Sequence, residues 1–262
     1  MPYVNNQGIK IYYEVIGNGF PVVLHTGAGG DRRMWQEAGY VGGLAGFQCI
    51  LLDHRGHGKS DKPQNLAAHR LEHYVTDVVA ALDALQLPRV AFWGYSDGRR
   101  VGYELAHRYP DRVAALLASG GMEAADVADY QAERQERAES ADFYRERGMS
   151  GLIAVLEEAE HMTLPAWLRQ NFLETDAEMV ALELLAWCEW DGPWLLLPHL
   201  LTPTLLLLGE DEDDGNAARA AEVMPNTRCL VFPGLGHIGA FLRSDLALPH
   251  ATSFLHSILA AQ

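Results

Sequence analysis

Ser96 stands between two glycines in Gly94-Tyr95-Ser96-Asp97-Gly98. The apolar run Val90-Ala91-Phe92-Trp93 precedes it, and a helical pattern from Arg99 to Tyr109 follows. A serine at the apex of a strand–turn–helix junction is a nucleophile elbow: the tight turn lifts its hydroxyl out of the sheet edge. The same turn places the N–H of Asp97 at the start of a helix, where the positive end of the dipole favours a developing oxyanion. The chemistry this spacing points to is attack of a serine hydroxyl on a carbonyl carbon.

A serine hydroxyl needs a base, and the base needs an acid to orient it. Of eleven histidines, His237 follows an apolar strand, Arg228–Phe232, in the loop Pro233-Gly234-Leu235-Gly236-His237. That is the carboxyl end of a strand, the edge where sites of open α/β sheets lie. His54, His57, His69, His73, His107, His161, His199, His250 and His256 are expected to be structural or solvated. The acid is expected after the strand Thr204–Leu208, in the carboxylate run Glu210-Asp211-Glu212-Asp213-Asp214, with Glu123 or Asp126 as further candidates. Serine, acid, histidine is the chain order expected for a site built on such an elbow. For the oxyanion, the loop His25-Thr26-Gly27-Ala28-Gly29-Gly30-Asp31 offers a second backbone N–H, that of Gly27, beside that of Asp97. The loop lacks the Lys-Ser/Thr of a phosphate loop and the Gly-x-Gly-x-x-Gly spacing, so no nucleotide or other cofactor is expected.

The elements that must position these residues alternate. Strands are predicted at Ile9–Val15, Pro21–Leu24, Gln48–Leu52, Val90–Tyr95, Val113–Ser119, Thr204–Leu208 and Arg228–Phe232, with helices at Leu71–Leu85, Arg99–Tyr109, Ala217–Val223 and Ile238–Leu259. Short apolar strands alternating with helices predict an α/β fold, a mostly parallel central sheet flanked by helices. Between 122 and 200 the strand signal vanishes. Gln131–Arg147 and Asp176–Trp190 read as helices, with breaks at Gly148, Pro165 and Gly192-Pro193.

Charge follows the same division. The whole chain carries −15, and residues 122–200 hold 17 Asp and Glu against 5 Lys and Arg. That balance argues against a nucleic-acid partner. The amino terminus shows no basic and apolar leader pattern, and the apolar runs are strand-sized, so neither secretion nor a membrane partner is expected. Cys49, Cys188 and Cys229 are far apart, which suits reduced thiols in the cytoplasm and leaves no metal or disulfide framework.

Taken together, these segments resemble the α/β-hydrolase fold family, most specifically over 21–60, 89–121 and 203–240. His25–Gly30 is similar to its oxyanion loop, and Asp53-His54-Arg55-Gly56-His57-Gly58-Lys59-Ser60 to its structural Asp-x-Arg-Gly-x-Gly-x-Ser turn. Gly94–Gly98 is similar to its elbow, and Gly236-His237 to its catalytic Gly-His. Counting from Gly209, the family's acid slot falls on Glu212, where aspartate is usual; Asp211 and Asp213 are the alternatives. Thr26 stands where the family has glycine, and Arg99 where it has a small residue, so this cation needs an outlet such as a carboxylate of the acidic loop. The resemblance implies a core of 1–121 and 201–262 with a helical cap at 122–200.

Four of the six tryptophans, Trp167, Trp187, Trp190 and Trp194, fall in that cap segment. They either pack the cap or line an apolar acyl pocket. The expected function is a serine hydrolase with Ser96, His237 and Glu212 as triad, acting on a small, mostly apolar ester or lactone through an acyl-enzyme. The alternatives on the same triad are C–C bond hydrolysis, perhydrolysis, aminopeptidase or lyase chemistry. A non-catalytic ligand-binding protein of this fold is the reading from outside enzymology. The expected partner is a small-molecule substrate, with oligomeric state left open.

Overall fold

Val90–Tyr95 is apolar on both faces, which suits a strand only where helices cover the sheet on either side. In the computed structural model, which describes residues 2–121, 127–190, 192, 195–213 and 215–260, all six of these residues are buried. The strands are β1 (Tyr3–Asn6), β2 (Ile9–Gly17), β3 (Phe20–His25), β4 (Phe47–Leu52), β5 (Val90–Tyr95), β6 (Val113–Ser119), β7 (Thr204–Gly209) and β8 (Thr227–Phe232). They form one sheet in the order β1-β2-β4-β3-β5-β6-β7-β8. β1 and β2 pair antiparallel, as do β2 and β4; every pairing from β4 through β8 is parallel. One face packs Trp35, Trp93, Phe241 and Phe254, and the other packs Tyr74, Val78, Phe92 and Leu116. The carboxyl ends of β3, β5, β7 and β8 therefore share one edge, and each delivers a loop singled out above.

The strand-free segment is helical. Val127–Ala159 runs through a kink at Gly148, where φ is +63° and ψ −171°. Ala166–Leu173 starts directly after Pro165, and Ala177–Trp187 starts at Asp176, whose carboxylate accepts the Glu178 N–H at 3.0 Å. The last expected helix, Ile238–Leu259, is instead two: His237–Leu242 and Ser244–Leu259. The Phe241 carbonyl accepts the Tyr40 hydroxyl at 3.0 Å, and Arg243 leaves helical geometry at φ −92°, ψ 54°. β1 and the short helices Arg33–Glu37 and Tyr40–Gly43 were not expected, since four or five residues are too few to show a period. No described helix is long and apolar enough to cross a membrane.

Candidate active site

Ser96 sits at φ +55°, a left-handed conformation that costs a non-glycine residue about 1–3 kcal/mol. The surroundings enforce it. The Ser96 N–H donates to the Ser119 carbonyl at 2.8 Å, which ties the turn to the end of β6. The flanking glycines are required by space. A Cβ on Gly94 would lie 2.6 Å from the Arg99 nitrogen, and one on Gly98 would lie 2.5 Å from the His25 carbonyl oxygen. Strand, elbow and helix Gly98–Arg108 therefore close on one another only as written in the sequence.

From Ser96 a line of hydrogen bonds runs to β7. Ser96 Oγ lies 3.0 Å from His237 Nε2, and His237 Nδ1 lies 2.6 Å from Glu212 Oε2. The other carboxylate oxygen, Glu212 Oε1, accepts the Gly209 N–H at 2.8 Å, which fixes the plane of the group. Burial alone would raise the Glu212 carboxyl. The His237 hydrogen bond and charge, the Gly209 N–H and the Arg99 guanidinium outweigh it and hold the group below its ordinary value. The His237 ring stacks on Tyr95 at 5.0 Å, and the Tyr95 hydroxyl donates to the His237 carbonyl at 3.0 Å.

The other carboxylates of the run have different contacts. Glu210 accepts the Gly234 N–H, Asp211 is exposed, and Asp213 accepts the N–H groups of Gly215 and Ala217 at the start of helix Asn216–Val223. Glu123 and Asp126 lie outside the described residues. Arg99 finds its outlet on the Gly120 carbonyl at 2.7 Å, with its charge acting on Glu212.

Gly27 faces the elbow: a Cβ there would lie 2.6 Å from Ser96 Cβ and 2.7 Å from the Asp97 nitrogen. The loop carrying it is braced from two sides. The Gly29 N–H donates to His57 Nε2 at 3.0 Å, and Thr175 Oγ1 donates to the Gly29 carbonyl at 2.8 Å. Asn171 donates to Asp31 at 2.8 Å. The Asp53–Ser60 turn is scaffolding beneath it. Asp53 accepts from Arg32 and from the Lys59 N–H, and Arg55 forms a two-pronged pair with Asp77 at 2.7 Å.

A cavity of about 200 Å³ opens on Gly27, Ser96, Asp97 and His237. Its remaining wall is mostly apolar, with Met34 from the core and Leu152, Leu156, Phe172, Val180 and Leu184 from the helical segment. Of the four tryptophans proposed for it, the three that are described do not line it. Trp187 is buried with its Nε1 donating to the His69 carbonyl at 2.8 Å, and Trp190 donates to Glu104 at 2.7 Å. Trp167 packs half-buried on the core, and Trp194 lies outside the described residues. The indole N–H groups of Trp187 and Trp190 found partners away from the cavity, and leucine, valine, methionine, phenylalanine and tyrosine side chains form its wall. Helical period gave no means of separating these roles.

Asp97 is the only charged carboxylate among the described lining residues, and it is neutralised in place. Burial would push it up, but Arg137, 2.6 Å away, and Arg100 outweigh burial and hold it well below the ordinary range. Arg137 comes from the helical segment, a contact across 40 residues that no spacing rule reveals.

Behind the oxyanion loop lies a buried group the sequence did not single out: His54, His57 and Glu183, with donor atoms within 4.8 Å of one another. His57 Nε2 accepts from Gly29, so its proton sits on Nδ1, facing the Arg55 carbonyl. That leaves two lone-pair donors where a zinc site takes at least three protein ligands, so the trio does not fit zinc. Burial raises the Glu183 carboxyl, and burial together with neighbouring His54 lowers His57 to about 3. His54, whose ring nitrogens make no hydrogen bond among the described residues, is lowered to about 3, chiefly by burial. A folded-state value below the unfolded one means the unfolded chain takes up the proton first. The contribution of His54 is thus fully present above about pH 6.5 and is lost as pH falls toward about 3, by about 1 kcal/mol for each pH unit. His54→Leu is expected to flatten the acid side of the unfolding free energy by that amount between pH 6 and 4. An unchanged slope in urea titrations would show that His54 is not held neutral.

Comparison with known proteins bears on the fold. Residues 21–244 match the model of the family described as alpha/beta hydrolase fold. A putative carbamate hydrolase, RutD, of Azorhizobium caulinodans is 29% identical over 226 residues, covering 81% of each chain. The 3-oxoadipate enol-lactonase 2 of Acinetobacter baylyi is 29% identical over 180 residues, 66% of this chain and 60% of that one. Among solved structures, the enol-lactonase of Burkholderia xenovorans LB400 superimposes with a TM-score of 0.81 at 26% identity, over 97% of this chain and all of that one.

Proposed function

The chain belongs to the α/β hydrolase fold family, and on that premise we propose that it is a serine hydrolase of small, uncharged, mostly apolar esters or lactones. The observation that carries the reading is the unbroken line Ser96 Oγ–His237–Glu212 at the mouth of an apolar cavity. His237 takes the Ser96 proton as Oγ attacks the carbonyl carbon, and Glu212 stabilises the imidazolium. The N–H groups of Gly27 and Asp97 hold the oxyanion. Collapse passes the proton from Nε2 to the departing alkoxide and leaves an acyl-Ser96. Water then repeats the sequence with His237 as base, releasing the acid. In this reading residues 122–200 act as the cap, supplying most of the apolar wall. The curated relatives named for carbamate and enol-lactone hydrolysis support carbonyl chemistry of this class.

The cavity favours an ester over an amine-bearing peptide. An aminopeptidase needs a free carboxylate for the substrate ammonium, and the Asp97 carboxylate is occupied by Arg137. A panel of p-nitrophenyl esters tests this. Turnover is expected with short and medium uncharged acyl groups, falling as the chain outgrows the cavity, and no hydrolysis of amino-acid p-nitroanilides. Turnover confined to the anilides would replace this reading with the aminopeptidase one.

A further inference from the structure

Helix His237–Leu242 begins at the proposed catalytic base, and no local side chain caps it, because the preceding residue is Gly236. Two of its first N–H groups are nevertheless satisfied. Glu160, half-buried just after the kinked helix Val127–Ala159, reaches across from the cap segment. Its Oε1 accepts the Ile238 N–H at 2.7 Å and its Oε2 accepts the Gly239 N–H at 2.9 Å. Those are the second and third residues of the helix, the donors that a capping side chain ordinarily serves. The arrangement excludes a local cap: a Cβ on Gly236 would lie 2.8 Å from Glu160 Oε1 and 2.9 Å from Oε2. The glycine before His237 makes room for a carboxylate from 76 residues upstream.

We propose that Glu160 is a positioning residue for His237, and that seating of the 122–200 segment over the cavity and presentation of the catalytic base are one event. The backbone of the base is held from both sides. The Tyr95 hydroxyl engages the His237 carbonyl, and the Glu160 carboxylate engages the two N–H groups that follow. Without Glu160 the first helical turn loses its cap and His237 Nε2 loses its fixed 3.0 Å approach to Ser96 Oγ. A misplacement of about 1 Å in a reacting group costs on the order of 100-fold in rate. The inference rests on the reading of His237 as the base of Ser96.

The test uses the intact chain and an alkyl fluorophosphonate, whose saturable labelling separates the inactivation rate constant from the binding constant. Glu160→Ala is expected to slow inactivation by about 10- to 100-fold while leaving the binding constant within about twofold. Glu160→Gln, isosteric and still offering one acceptor, is expected to fall between the two. It also serves as the test variant should Glu160→Ala fail to fold. A graded loss in the order wild type, Gln, Ala supports the proposal. Wild-type inactivation rates in both variants, or in Glu160→Gln alone where Glu160→Ala is unfolded, overturn it even if the melting temperature drops. A wild-type chain that the probe does not label would remove the proposed base, and the positioning role with it.

Discussion

Ser96→Ala is expected to lower kcat by about four to six orders of magnitude while the chain stays folded. The argument is local. Alanine at position 96 keeps the Cβ and the same left-handed backbone, and the Ser96 N–H bond to the Ser119 carbonyl does not involve the side chain. What is lost is Oγ, the atom 3.0 Å from His237 Nε2. The oxyanion donors and the cavity remain, which is why a residual rate above the uncatalysed one is expected rather than none. Parallel circular dichroism and melting curves check that the fold is intact. Turnover within tenfold of the wild type would mean that Ser96 is not the nucleophile.

Glu212→Gln is expected to cost at least about 100-fold in kcat, with Asp211→Asn and Asp213→Asn each within a few-fold of wild type. A carboxylate at Glu212 accepts a hydrogen bond from His237 Nδ1–H, which leaves Nε2 free to take the Ser96 proton. An amide can turn its NH2 toward Nδ1 and so favour the tautomer with hydrogen on Nε2, which cannot act as base. Asp211 is exposed, and Asp213 caps a helix, a task asparagine also performs. The substitution also has a sign in stability. Glu212 is held below its ordinary value, so its contribution is present above that value and is lost as pH falls through the lowered one. Glu212→Gln should therefore cost stability at neutral pH and lose less on acidification. If Asp211→Asn or Asp213→Asn proves to be the crippled variant, the assignment moves by one residue.

The sequence made the sheet edge readable because its signals are short-range. Gly94 and Gly98 flank Ser96, His237 follows a strand, and the count from Gly209 reaches Glu212, the residue found against His237 Nδ1. Gly148 and Pro165 mark helix boundaries by what their backbones permit. What was not legible joins distant segments. Glu160 on the helix after His237, Arg137 on Asp97, and Glu183 beside His54 and His57 link residues 40 to 129 positions apart, where neither period nor motif carries information. The break at Arg243 was missed because apolar periodicity continues through it. At the break the Phe241 carbonyl accepts the hydroxyl of Tyr40, two hundred residues earlier. Trp187 and Trp190 illustrate the same limit: helical period could not tell cap packing from cavity lining, and their indole donors chose partners outside the cavity.

The central claim is that Ser96 is a nucleophile activated by His237. Its most direct test is mass spectrometry of the intact chain after exposure to a fluorophosphonate, with the labelled peptide sequenced. One adduct on the Ser96 hydroxyl, absent from Ser96→Ala and slow to form in Glu212→Gln, is the result predicted. An unlabelled wild-type chain, or an adduct that persists in Ser96→Ala, would contradict it.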